Sequence, residues 1–335
     1  MTAGPVPIWL IVVVKATILL FIMITTFAYS MLFERKVMGW MQLRPGPNRV
    51  GPWGMLQPAA DAVKMMFKED LTPETADPLI YRLAPFISLV TAMGTFAIIP
   101  FSAGPDGTLW AVGNVNAGIL FIFALTSIGV YGISLAGWAS GSKFPLLGSV
   151  RSTAQMISYE LSMSMSVIGV LLIAGSTALG DIVNAQHRVW FVIPQLLGFL
   201  IYIITAVAET NRAPFDLVEA ETELVGGFHT EYSGLRFGLF FIAEYLNMIT
   251  VSCLATLLFL GGWNGPFGLP SGGIVGLVWF VLKAAFFLFF YIWLRSTLPR
   301  LRYDRLMDFG WKILLPVATL NLVVTAIVVA VWPHA

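Results

Sequence analysis

The chain contains eight long apolar segments, and this pattern limits the possible fold more than any other feature. A helix needs about 20 mostly apolar residues to cross the hydrocarbon core of a bilayer. Hydrophobic residues make up 58% of the 335 residues and charged residues only 11%, whereas about a quarter of an ordinary soluble chain is charged. We therefore predict an all-α polytopic membrane protein with about eight transmembrane helices. The predicted segments are residues 8–33, 81–101, 117–139, 152–176, 190–208, 237–260, 276–294 and 311–332.

The basic residues predict how this chain is oriented, because Lys and Arg collect in cytoplasmic loops. Of the 19 Lys and Arg residues, Lys15 and Lys283 fall inside apolar segments and only Arg188 lies in an even-numbered loop. All the others lie on the side of the odd-numbered loops. Both termini are therefore expected to face away from the cytoplasm. The whole chain is predicted to be one integral membrane domain, with cytoplasmic loops at 34–80 and 209–236.

The first predicted loop combines an irregular segment with an amphipathic one. Residues 44–52 contain three prolines, and proline removes a backbone donor and clashes with the preceding helical turn. In residues 53–68, apolar residues from Leu56 to Phe67 recur at spacings of four, three and four, with charged positions on another face. This pattern predicts an amphipathic helix. It could lie along the membrane interface or cover a cavity between the spanning helices.

Acidic residues are concentrated between the fifth and sixth apolar segments. Seven of the 18 acidic residues fall within 209–244, and a carboxylate inside a bilayer costs about 2.5–3.5 kcal/mol on insertion scales. Glu160, about eight residues or roughly 12 Å into its predicted helix, joins Glu209 and Glu244 as a carboxylate in or at the end of an apolar segment. Each could be neutralised by an Arg or a Tyr hydroxyl. Because three lie on neighbouring helices beside an acidic loop, we favour a chain of protonatable groups.

Several kinds of site find no support in the sequence. The single Cys253 lies in an apolar segment, and the three His residues do not have the spacing of metal ligands. No Gly-rich phosphate loop precedes a helix, and the net charge of +1 gives no basic nucleic-acid surface. We therefore expect this chain to bind no metal, flavin, iron–sulfur cluster or nucleic acid, and we assign it no catalytic residue.

Several long motifs are similar to those of one family. They are ERKVMG at 34–39, QLRPGPN at 42–48, LQPAADA at 56–62, WASGSK at 138–143, ISYEL at 157–161, AETNRAPFDL at 208–217, ELVGGF at 223–228 and AEY at 243–245. The family is the H subunit of bacterial respiratory complex I, the proton-translocating NADH:quinone oxidoreductase, which corresponds to mitochondrial subunit 1. The similarity extends over nearly the whole chain.

The resemblance implies a role in the bacterial inner membrane, where the family's protein lies beneath the hydrophilic arm. Its partners would be the cluster-bearing quinone-site subunits of that arm and small membrane-arm subunits, and its substrate would be ubiquinone or menaquinone. The family's quinone-channel positions correspond to Arg35, Asp61, Ala62, Lys64, Arg295 and Arg300. Its proton path corresponds to Glu160, Glu209, Asp216, Glu219, Glu221, Glu223, Glu231 and Glu244.

One position departs from the family pattern. Some relatives carry a further carboxylate in the third helix, where this chain has Ser127. A relay step there would need water or a hydroxyl group.

Two other functions stay open on the sequence. The chain could be a membrane subunit of a related assembly, a coenzyme F420 dehydrogenase or a membrane-bound hydrogenase, although the long first-loop motifs disfavour the hydrogenase. It could also be a stand-alone ion antiporter, because carboxylates and lysines lie inside its apolar segments.

Overall fold

A computed structural model describes residues 8–104, 107–216, 225–266 and 269–331. Within these ranges the chain is helical, with no strand beyond an isolated bridge between Ala103 and Leu109. The all-α prediction is confirmed. The α-helices are α1 (Ile8–Met41), α2 (Gln57–Phe67), α3 (Pro78–Phe96), α4 (Gly118–Ala139), α5 (Lys143–Ala174), α6 (Leu179–Ala185), α7 (Leu196–Glu209), α8 (Gly234–Phe259), α9 (Gly273–Thr297), α10 (Tyr303–Phe309) and α11 (Leu315–Val331).

Seven of the described helices are long and apolar enough to cross a membrane, with α10 and α11 joined through a π-helical turn into one span, Tyr303–Val331. The fifth predicted segment differs from expectation. Its first residues form turns around Pro194, which has no N–H to donate, and α7 is only 14 residues long. At 1.5 Å per residue, α7 measures about 21 Å, less than the roughly 30 Å of a hydrocarbon core.

Two helices begin or end away from their predicted bounds in ways that matter for the charged residues. The first helix continues beyond Phe33 to Met41, so Glu34 and Arg35 are helical. The fourth long helix begins at Lys143 instead of residue 152, so Glu160 lies near its middle and not close to its start. Apolar content alone did not reveal these extensions, because both contain charged residues.

The amphipathic segment of the first loop forms the predicted helix, although this helix begins later than expected. Gln57–Phe67 is helical with Pro58 in its first turn, where the missing N–H costs no hydrogen bond. None of its residues is buried, and its apolar Val63 and Phe67 are 53% and 87% exposed. Its apolar face is therefore available to lipid, ligand or another protein.

The helix α8 forms the centre of the bundle. Two thirds of its most apolar window is buried, against 6% for α1, and every residue from Met248 to Phe259 is buried. A helix that is apolar all round is one buried on all sides. The cytoplasmic half of α8 carries Glu244 and Tyr245, so these polar groups enter the bundle beside a fully packed core.

Candidate functional site: a buried ion-pair chain and an acid cavity

Four charged residues from four parts of the chain form a continuous series of ion pairs at the predicted cytoplasmic end of the bundle. Arg295 on α9 pairs with Glu34 on α1. Glu34 also meets Arg212, in the segment after α7, at 3.4 Å between Oε1 and Nη1. The Nε atom of Arg212 lies 2.8 Å from Oε1 of Glu244 on α8. We call this series, Arg295–Glu34–Arg212–Glu244, the ion-pair chain.

Burial explains why these charges are paired. The side chains of Glu34 and Arg212 are 4% and 6% exposed, and a buried charge is tolerated when it is paired and hydrogen-bonded. Tyr245 adds to both: its hydroxyl donates to Oε2 of Glu34 at 2.6 Å, and its ring lies 4.3 Å from the Arg212 guanidinium carbon. Burial by itself lowers the pKa of Arg212, but Glu244 and Glu34 outweigh it and hold that pKa above its ordinary value.

A small cavity adjoins one end of this chain. Its lining includes three carboxylates, Glu209, Asp216 and Glu244, together with His229 and Asn247. Its volume is about 50 Å³, and one water molecule requires roughly 10–15 Å³ on this measure. We call it the acid cavity. It has room for a few water molecules between carboxylates that come from α7, α8 and the segment after α7.

The other two carboxylates of the predicted proton path lie outside this lining. Glu160 on α5 accepts a hydrogen bond from the hydroxyl of Ser127 on α4. Ser127 is the residue at the position where some relatives were expected to carry a carboxylate. Glu231 contributes its backbone carbonyl, which accepts from the Tyr81 hydroxyl at 2.7 Å. Glu219, Glu221 and Glu223 lie outside the described residues.

The predicted channel residues of the first loop form a second polar group. Nη1 of Arg35 lies 2.9 Å from Oδ2 of Asp61, and Nζ of Lys64 lies 3.5 Å from Oδ1. The side chain of Gln57 donates to Oδ1 at 3.1 Å. Asp61 thus joins the end of α1 to α2. Ala62, one residue further along α2, is exposed.

The remaining predicted channel residue contacts the acidic stretch directly. Nη2 of Arg300, which follows α9, lies 3.2 Å from Oδ2 of Asp216. Close by, the backbone N–H of Leu301 donates to the carbonyl of Pro214 at 3.0 Å. The two sets of residues that the sequence suggested separately therefore meet twice, at Arg295 through the ion-pair chain and at Arg300 through Asp216.

A sequence model of the family described as NADH dehydrogenase matches residues 14–326. The chain belongs to this family. Among curated relatives, the NADH-quinone oxidoreductase H subunit of Deinococcus deserti is 54% identical, over 97% of this chain and 87% of the relative. The H subunits of the same name from Symbiobacterium thermophilum and Geobacter metallireducens are 53% and 52% identical, covering 96% and 93% of this chain and 98% and 94% of their own lengths. The resemblance to the H subunit is confirmed.

Sequence reasoning did not assign a role to Glu34, Arg212 or His229. Glu34 sits at the end of an apolar run, where an acidic residue is ordinary. Arg212 offered one signal, because it is the only Lys or Arg between Glu209 and Glu231. No group of three or more His, Cys, Asp or Glu side chains suited to a metal ion occurs in the described part of the chain.

Proposed function

We propose that this chain is the membrane subunit of a proton-translocating NADH-quinone oxidoreductase. Its relatives bear that name at about half identity over nearly their full length, and the chain has the apolar helices of a multi-pass membrane protein. NADH and the redox centres would belong to partner subunits of the hydrophilic arm. With α7 counted as a short eighth crossing, both termini would lie on the non-cytoplasmic side of the inner membrane.

The first part of the proposal is that quinone reaches its reduction site through a chamber formed beside α1, α2 and α9. An isoprenoid tail requires an apolar surface open to the membrane, and a polar headgroup requires a few fixed polar contacts. The helix α2 supplies both, with Val63 and Phe67 exposed and with Asp61 held between Arg35 and Lys64. Arg295 and Arg300 would guide the headgroup from the opposite side.

The second part is that quinone reduction drives protons along the carboxylates, and the ion-pair chain is the observation that carries it. A quinone that accepts two electrons takes up two protons and so changes the charge beside Arg295. Glu34, which holds Arg295, also holds Arg212. A weaker hold by Glu34 leaves Arg212 to interact more strongly with Glu244, because one cation is shared by two carboxylates. Charge is thus communicated from the quinone side to the acid cavity.

The proton would then pass from the acid cavity into the bundle. Glu209 closes α7 at this cavity, and Glu160 on the adjacent helix α5 is hydrogen-bonded to Ser127. The hydroxyl of Ser127 can accept and donate, as required of a group that replaces a relay carboxylate. Protons would continue toward partner subunits of the membrane arm.

The decisive test of the second part is to replace Glu34 or Glu244 with Gln in the assembled enzyme. Each variant should assemble, because an amide keeps the shape of the side chain, but NADH-driven quinone reduction and proton translocation in inverted vesicles should both fall. Glu74 is an exposed acidic residue of the first loop, and Glu74→Gln should leave both rates unchanged. Full coupled activity in Glu34→Gln and Glu244→Gln would refute the coupling.

The chamber is tested separately at Ala62. The change Ala62→Trp would narrow a chamber wall and should raise the KM for quinone with little change in kcat, because binding is hindered and not chemistry. Ala185, an exposed alanine at the end of α6, provides the matched control Ala185→Trp. Unchanged quinone kinetics in Ala62→Trp would argue against the chamber wall while leaving the coupling intact.

A further inference from the structure

His229 is a polar residue held at the acid cavity by aromatic packing. It ends a short 3-10 helix, Gly227–His229, that precedes α8. Its ring packs edge-on against Phe228 at 5.0 Å between centroids and against Phe237 of α8 at 5.3 Å. Aromatic pairs of this kind fix the plane of a ring. The imidazole is therefore positioned by apolar neighbours, which leaves its two nitrogens for the cavity.

The groups that share the cavity with His229 come from every neighbouring element. The titratable ones are Glu209 from α7, Asp216 from the segment after it and Glu244 from α8. The uncharged polar ones are Ser88, Thr210, Asn211 and Asn247. Across the described lining, His229 is thus the single imidazole among three carboxylates. Asp216 is also the carboxylate that contacts Arg300 on the predicted quinone side.

Neutral imidazole suits proton transfer better than any other side chain at such a place. Burial, opposed in part by the charge of Asp216, lowers the pKa of His229 to about 4, so the ring is neutral near pH 7. One nitrogen of a neutral imidazole donates a hydrogen bond and the other accepts one. The ring can take a proton on one side and release another on the opposite side without keeping a charge in a buried place.

We propose that His229 is a proton-relay residue that passes protons between Asp216 and the carboxylates Glu209 and Glu244 across the acid cavity. In each transfer, a proton from the Asp216 side binds the accepting nitrogen while the N–H proton of the other nitrogen leaves to water beside Glu209 or Glu244. One N–H bond forms and one breaks, and the ring ends as the other tautomer. Rotation of the ring or a return transfer restores the starting form. This inference rests on the proposed proton path and adds a named residue to it.

The test uses the assembled enzyme in inverted vesicles with the change His229→Gln. Glutamine keeps hydrogen-bonding capacity but cannot exchange one proton for another, so coupled turnover per assembled complex should fall by at least about tenfold. The solvent isotope effect in D₂O should rise, since proton transfer becomes the slow step. A second variant, His229→Gly, should regain turnover when imidazole is added, whereas a purely structural role predicts no such rescue. The control His187→Gln changes an exposed histidine on the opposite side and should have no effect.

Parental turnover and isotope effect in His229→Gln would overturn the relay, as would a loss explained entirely by less assembled complex with no imidazole rescue of His229→Gly. The change Glu209→Gln in the same assay separates this failure from that of the proposed function. If Glu209→Gln is impaired and His229→Gln is not, the proton path stands without the relay. If both retain full coupled activity, the proton path fails as well.

Discussion

The sharpest prediction concerns the change Arg212→Leu, which removes the shared cation of the ion-pair chain. Removing one partner of a buried ion pair costs about 3–5 kcal/mol, because the other charge stays buried without compensation. Glu34 would keep Arg295 and the Tyr245 hydroxyl. Glu244, whose side chain is 28% exposed, would lose its contact at 2.8 Å. We therefore expect the lower end of the range, about 3 kcal/mol.

The contact of Arg212 with the Tyr245 ring raises this expectation. A desolvated cation over an aromatic face contributes about 2 kcal/mol, and the guanidinium carbon lies 4.3 Å from the ring centroid. The total of about 3–5 kcal/mol is a large share of the roughly 5–15 kcal/mol that stabilises a typical folded protein.

The measurement is the thermal inactivation midpoint of the detergent-solubilised complex. At about 2–4 °C per kcal/mol, Arg212→Leu should lower the midpoint by roughly 6 °C or more. Adding Glu244→Gln to Arg212→Leu should recover part of the loss, since the uncompensated charge is removed. Arg302 forms an exposed pair with Asp304, so Arg302→Leu is a matched control that should cost less than about 1 kcal/mol. A midpoint for Arg212→Leu as close to the parent as that of Arg302→Leu would refute the reasoning.

The other predictions concern a hydroxyl, a histidine and a glycine. Tyr245→Phe removes a hydrogen bond to Glu34 at 2.6 Å and should destabilise the complex by about 1.5–3 kcal/mol, seen as a lower thermal midpoint; no change would show that the hydroxyl is dispensable. The pKa of His229 is lowered to about 4 by burial, against 6.5 ordinarily, so the unfolded chain takes up the proton first as pH falls. The stability contributed above pH 6.5 is lost between pH 6.5 and about 4, and the parent should lose more than His229→Gln when midpoints at pH 7 and pH 5 are compared. Gly132→Ala would place a Cβ 2.1 Å from the Ser88 hydroxyl oxygen, and the overpacking should cost about 1–3 kcal/mol of stability; a neutral effect would mean that α3 and α4 can separate.

The fold class and most helix positions could be predicted because hydrophobicity is a property of each segment by itself. The predicted segment 117–139 agrees with α4 to one residue, since both of its ends coincide with the ends of the apolar run. The fifth segment was less predictable. The apolar run begins near Trp190, but Pro194 lies within it and helix begins only at Leu196. Hydropathy counts such a turn as part of a spanning helix.

The site was predicted in part, and the difference lies in distance along the chain. Arg35, Asp61 and Lys64 could be associated because they fall in one loop and on helix-spaced positions. Glu34 and Arg212 are separated by 178 residues, and nothing local distinguishes Glu34 from an ordinary acidic residue at a helix end.

The sequence by itself determined that this chain is a bundle of apolar helices with its costly charges gathered on one side, because the transfer of side chains into hydrocarbon depends mainly on residue type. Only the tertiary structure decided which charges neutralise one another. Pairing depends on separations of a few ångströms, and these are fixed by how α1, α8 and α9 pack. It turned two separate sets of predicted residues into one connected series, with Arg212 between the quinone side and the acid cavity.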